Sequence, residues 1–146
     1  MNFRTVLNIR ALQNIRDEAA EAAVKESISG IRSLLLDENW DLAVSNRGDL
    51  AVIGEPIRQA QDVATRCRTF RGECVYAQAQ GIPYFADVLG KTPPDALVRD
   101  YIHRESLEVP GVQEAYVTFA GLEGRKLTGD IRITDSEGNT QYVSIT

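Results

Sequence analysis

The apolar residues of this chain change period at Pro110-Gly111, and that change constrains the fold more than any other feature. Upstream, Ile57, Ala60, Val63, Ala64, Cys67 and Phe70 recur at helical spacing. Downstream, candidate strands Glu114–Ala120, Leu127–Thr134 and Gln141–Ile145 alternate with period two, with Glu123-Gly124 and Glu137-Gly138-Asn139 as turns. Helices followed by a run of strands define an α+β protein: a single compact domain whose antiparallel or mixed sheet packs against two main helices. At 146 residues the chain can bury a core without a metal or a disulfide.

The first main helix is predicted over Pro56–Phe70. Proline suits the first helical position, Glu55 faces the positive end of the dipole, and Gly72 suits the position after the end. Ile57, Val63, Cys67 and Phe70 then form the spine of the core. Thr92-Pro93-Pro94-Asp95 starts the second helix, with a Thr cap and Leu97, Val98, Tyr101 and Ile102 on its apolar side. Trp40 to Ile53 reads as a hairpin around Asn46-Arg47-Gly48-Asp49, and the sequence shows no internal repeat. From Leu7 to Ile28 an alanine-rich stripe (Leu7, Ala11, Leu12, Ile15, Ala19, Ala22) predicts a helix in an N-terminal extension, residues 1–36, ahead of the main domain, 37–146. Such a stripe permits close packing but buries little area, so the helix either lies on its own domain or docks on a partner.

The net charge of −5 argues against nucleic acid as a partner, because phosphate contacts need clustered cations. The one basic cluster, Arg66, Arg68 and Arg71, is read as the solvated or interface face of the first helix, with Glu73 as an ion-pair partner. No apolar run reaches the roughly 20 residues that span a bilayer, and the N-terminus lacks a signal-peptide core, which makes the cytoplasm the default. Cys67 and Cys74 with the single His103 cannot complete a zinc site, and both thiols are expected reduced. His103, the only possible triad base, is read as an exposed helical residue. Glu55 and Glu73 bracket a helix of about 25 Å, too far apart for the 5–9.5 Å of a glycosidase pair. No catalytic, cofactor or metal residue is assigned.

One pattern remains: Thr69-Phe70-Arg71-Gly72-Glu73, then Gly81-Ile82-Pro83-Tyr84, then Leu89-Gly90-Lys91. With Trp40-Asp41-Leu42, Gly48-Asp49-Leu50, the helix from Pro56 and Val109-Pro110-Gly111-Val112, it resembles the baseplate-wedge and sheath-initiator family of contractile phage tails, particularly its Mu-like branch. Type VI secretion systems use a related part. The resemblance spans Trp40 to Ile133 and implies a virion protein assembled in the host cytoplasm. Six copies around the tail axis would contact the tail sheath protein, the wedge core-bundle proteins and the tube or spike hub. Many relatives carry Glu-Pro-Arg after the last helix; here Glu108-Val109-Pro110-Gly111 lacks the arginine.

These expectations assign Gln141, Tyr142, Val143, Ser144 and Ile145 to a sheath-facing edge strand. That strand carries no charge or proline to blunt it. Leu12, Ile15, Ala19, Ala22, Glu108 and Pro110 are assigned to the wedge contact. The rival readings are a small lysozyme-like hydrolase with an unrecognised site and a soluble adaptor with no viral role.

Overall fold

The computed structural model describes residues 30–123 and 126–145. The expected Leu7–Ile28 helix, with Leu12, Ile15, Ala19 and Ala22, lies outside the described residues. The architecture is α+β: a three-stranded antiparallel sheet covered on one face by two helices, with a small strand cap preceding them. In chain order the elements are β1 (Ser33–Leu34), β2 (Val52–Ile53), α1 (Ile57–Arg68), a one-turn π-helix (Tyr84–Val88), α2 (Asp95–Leu107), β3 (Val112–Glu123), β4 (Lys126–Asp135) and β5 (Thr140–Ile145).

The sheet runs β3-β4-β5 as a meander. Alternation decides which face is wet: Ala115, Val117, Ile131, Ile133, Val143 and Ile145 point into the core, while Tyr116, Arg132 and Tyr142 stand in one row on the other face. The Arg132 guanidinium lies 5.3 Å from the Tyr116 ring. Each fully buried Val or Ile contributes roughly 1.5–3 kcal/mol, so a one-residue slip that turned this row inward would be heavily penalised. The β4–β5 turn is tied by Asp135, whose Oδ1 accepts the backbone N–H of Glu137 and of Asn139, both at 2.8 Å. A bond from the Asn139 side chain and then the backbone donors hold the Asp135 carboxyl below the usual carboxylate range, against the opposing effect of burial.

α1 is shorter than its apolar spacing predicts. Pro56 is its N-cap rather than its first residue, and Thr69 caps its end. Val63 and Cys67 are fully buried as spine residues, but Ile57 is half-buried. Phe70 lies beyond the helix and is only partly buried: it forms a parallel bridge to Ile82 and packs its ring, tilted, against those of Tyr84 and Phe85. The buried side of α1 also contains Arg58, Gln59 and Gln61. Gln61 explains its own burial, since its amide donates to the Leu34 carbonyl at 2.7 Å and accepts the Leu36 N–H at 2.9 Å. In α2 the N-cap is Pro94 with no side-chain cap bond, so Thr92 does not cap it; Val98 and Ile102 are buried and Leu107 is 40% exposed.

The expected Trp40–Ile53 hairpin is instead two thirds of a closed cap. β1 pairs with β2, Leu36 with Leu42, and Val44 with Leu50. The Leu35 N–H donates to the Ala51 carbonyl, Ala51 N–H to Ala43, and Ala43 N–H to Leu35, closing a ring of three bonds of 2.8–2.9 Å. Leu35, Ala43 and Ala51 are eight residues apart, so the chain does contain a short repeat. Its two turns match: Asp37 N–H donates to the Asp41 carbonyl and Ser45 N–H to Asp49. Where the second turn has Gly48 at φ +86°, the first has Trp40 at φ +67°. A left-handed tryptophan is strained. Its ring is held by the Arg68 guanidinium, 4.1 Å from the centroid.

Candidate assembly surfaces

The segment from Phe70 to Lys91 is built around Gly81. Ile82 N–H donates to the Thr69 carbonyl and Arg71 N–H to the Ile82 carbonyl, both at 3.0 Å, so the loop leaves and returns at the end of α1. Gly81 sits at φ +94°, and a Cβ there would collide with the Thr69 carbonyl. Its N–H donates to Glu105 Oε2 at 3.1 Å, and its carbonyl accepts from Arg71 Nε at 3.1 Å. Glu105, buried on α2, also pairs with Arg66 at 3.3 Å. The partner of Arg66 and Arg71 is therefore Glu105, not Glu73, and Arg66 and Arg68 face the protein rather than solvent. Spacing could not identify Glu105, because its role depends on α2 lying beside the loop. Tyr84 completes the anchor by donating its hydroxyl to the Cys67 carbonyl at 2.5 Å, and burial raises its phenol above the ordinary range. Tyr101 fixes the π-helix through Asp87 at 2.6 Å.

Burial pushes the Cys67 thiol up to about 12, whereas Cys74 is only half-buried. At pH 8 a thiol reagent is expected to modify Cys74 in the native protein and Cys67 only after denaturation, counted by intact mass. Because the folded value is raised, the contribution of the neutral Cys67 thiol is complete below the unfolded value of roughly 8.5. It is lost as pH climbs toward the folded value, so alkali should destabilise the fold.

Where α2 gives way to β3, Glu108 and Pro110 are exposed. The Pro110 carbonyl accepts from Arg58 Nη2 at 2.7 Å. Arg58, wholly buried, also pairs with Glu55 at 2.7 Å and Asp62 at 2.5 Å. This was the largest site missed from sequence. The guanidinium nearest Pro110 is thus committed inside the domain and does not stand in for the arginine absent from Glu108-Val109-Pro110-Gly111.

β5 ends the sheet. It pairs with β4 from Thr134↔Thr140 to Gly129↔Ile145, and among the described residues no strand pairs with its other side. Val143 and Ile145 are buried, Tyr142 is 59% exposed, and Gln141 and Ser144 are intermediate. β3 ends the sheet on the other side, but two register shifts interrupt it, at Val112/Glu114 and Phe119/Gly121. A cleft of about 260 Å³ beside α2 and β3 is lined by His103, Glu114, Tyr116 and Arg132 among others, with Glu114 its single carboxylate. His103 is half-buried rather than exposed, and its Nδ1 donates to the Ala115 carbonyl at 2.9 Å. No cluster of His, Cys, Asp and Glu among the described residues is arranged to hold a metal, and no described helix is long and apolar enough to cross a membrane.

Fold and surfaces together define a small α+β domain whose sheet, among the described residues, ends at β5. The chain belongs to the contractile injection system sheath initiator family, whose sequence profile matches residues 32–138. The match takes in the cap from its first strand, both helices, the Gly81 loop and the β3–β4 hairpin. It assigns the chain to the initiation of sheath assembly in a contractile injection system. No curated protein matches the chain at a significant level.

Proposed function

We propose that this protein is a non-catalytic baseplate wedge component of a contractile tail, and that it seats the first sheath ring by extending its own sheet through β5. The observation that carries this reading is the state of β5: among the described residues it is an end strand hydrogen-bonded on one side only, with neither charge nor proline between Thr140 and Ile145. Such an edge is a template for a partner's strand, and main-chain pairing fixes position and register with little demand on sequence. β3 is less suited, because bulges twist and interrupt an edge. Glu108 and Pro110 form the corner offered to the wedge core bundle. The non-catalytic reading rests on the carboxylates: Glu55 is engaged by Arg58, and the cleft offers Glu114 alone where glycoside hydrolysis needs two.

Thr140→Lys/Tyr142→Lys tests this. Both side chains are exposed, so the core face of β5 is untouched. Lysines on an edge oppose strand addition. Baseplates containing the double variant should support at least about tenfold fewer sheaths by electron microscopy, with unchanged circular dichroism. Sheaths of normal number and length would show that β5 is not the template.

A further inference from the structure

The cap has an apolar outer face that nothing described covers. Directly opposed residues in antiparallel pairs share a face, and so do residues two apart in a strand. Leu34↔Val52, Leu36↔Leu42 and Val44↔Leu50 therefore put six aliphatic side chains on one side of the ring. Leu34 is 43% exposed, Leu42 and Leu50 50%, and Val44 63%. The opposite side faces α1, where Ser33 Oγ donates to Asp62 at 2.9 Å and Gln61 holds Leu34 and Leu36. Ile31, 55% exposed, lies at the point where the chain enters β1. Contiguous aliphatic exposure of this kind is characteristic of docking surfaces.

Charge identifies what it docks. Residues 30–53 carry two arginines against four carboxylates, Asp37, Glu38, Asp41 and Asp49, and all four are exposed beside the turns that flank the leucines. A suitable occupant is apolar on one side and basic around it. Residues 1–16 of this same chain fit: they carry Arg4, Arg10 and Arg16 and no acidic residue, with Phe3, Leu7, Leu12 and Ile15 among the apolar positions. The acidic residues of the N-terminal segment begin only at Asp17. Fourteen residues, 17–30, separate this segment from Ile31 at the border of the face. A separation this short keeps the segment at an effective concentration on the order of millimolar, which favours the chain's own segment over that of another copy.

We infer that residues 1–16 cover the leucine face of the cap in cis, with Arg4, Arg10 and Arg16 against its acidic rim. On this inference Leu12 and Ile15 meet the chain's own domain rather than a wedge partner.

Hydrogen exchange on the full-length protein tests it. Amides of residues 3–15 should be protected at least about tenfold over unstructured rates, independently of protein concentration and less so in 1 M salt. Leu42→Ser/Leu50→Ser should remove that protection while α1 amides exchange as in the wild type. Arg4→Glu/Arg10→Glu/Arg16→Glu changes no residue of the cap and should remove it as well, so the inference stays testable if the first variant fails to fold. Unprotected residues 3–15 in the wild type, or protection that survives the charge reversal, would overturn it. Protection that rises with concentration, together with a dimer in sedimentation, would assign the face to a second copy and overturn the cis assignment. None of these readouts involves β5, so they stand or fall separately from the sheath template.

Discussion

Arg58→Ala is expected to lower the free energy of unfolding by about 3 kcal/mol, the lower end of the range for breaking a buried ion network. Three bonds converge on the guanidinium, from Nη1 to Asp62 and from Nη2 to Glu55 and the Pro110 carbonyl. They join the start of α1 to the α2–β3 corner, fifty-two residues away in sequence for the Pro110 bond. The side chain of Arg58 is 1% exposed, whereas those of Asp62 and Glu55 are 27% and 46% exposed. With the arginine gone both carboxylates can turn toward water, which places the cost at the low end. What remains is a cavity, an orphaned Pro110 carbonyl and a corner held by packing alone. Gln59 fills the rest of that corner: a Cβ at Gly111, which sits at φ +93°, would lie 2.6 Å from Gln59 Nε2 and 3.2 Å from Glu55 Oε1. Urea melts measure the effect. Arg58→Lys should recover only part of the loss, because an ammonium cannot present the same fork to three acceptors. A loss below about 1 kcal/mol for the alanine variant would show that the corner does not depend on this network. The corner also carries Glu108 and Pro110, so the same variant should loosen the surface proposed for the wedge contact before it touches β5.

The parts of this fold legible in the sequence are those where one physical rule acts alone. The strands after Pro110 could be read because each has a wet face and a dry one, and Val143 and Ile145 alternate with Tyr142 as a half-buried strand must. α1 was legible as a helix but not in extent: Phe70 has the right spacing, yet its backbone is taken by the bridge to Ile82. The polar interior was hidden. Arg58, Gln61 and Glu105 read as surface residues until their partners are known, and those partners (Pro110, Leu34, Gly81) lie 52, 27 and 24 residues away. The cap was hidden for a different reason. Its named strands are two residues long, too short to show alternation, and the glycine that marks the second turn is replaced in the first by Trp40. Of the proposed surfaces, the chemistry of β5 was readable as an unblunted strand, but its place at the end of the sheet depends on the β3-β4-β5 order. The leucine face could not be read at all, since only the ring closure puts Leu34, Leu42 and Leu50 on one side.

Gly81→Ala is expected to cost far more than a single methyl group suggests, and Gly72→Ala supplies the scale. Both glycines have left-handed backbones, at φ +94° and +90°. A Cβ at Gly72 meets nothing within 4 Å, so alanine there pays only the conformational penalty of about 1–2 kcal/mol. At Gly81 the new methyl is directed at the Thr69 carbonyl, which is backbone and is already the acceptor for Ile82 N–H. It cannot move without opening the bridge that closes the loop. Overpacking of this kind adds about 1–3 kcal/mol. The shift would also drag the Gly81 N–H from Glu105, a buried carboxylate that then has fewer donors for its charge. Thermal or urea melts of the two variants should therefore differ by at least about 2 kcal/mol, with Gly81→Ala the less stable. Equal losses would show that the loop relaxes freely and that Gly81 is required for its φ alone. The difference bears on function because the Phe70–Lys91 loop lies within residues 32–138, the span that matches the family. Its anchors, Ile82 and Tyr84, are buried in the same core cluster as Val63 and Cys67 of α1, Val98 and Ile102 of α2, and Val143 and Ile145 of β5. A loop that cannot seat Gly81 leaves those two side chains without a place in the core that the two helices share with the sheet.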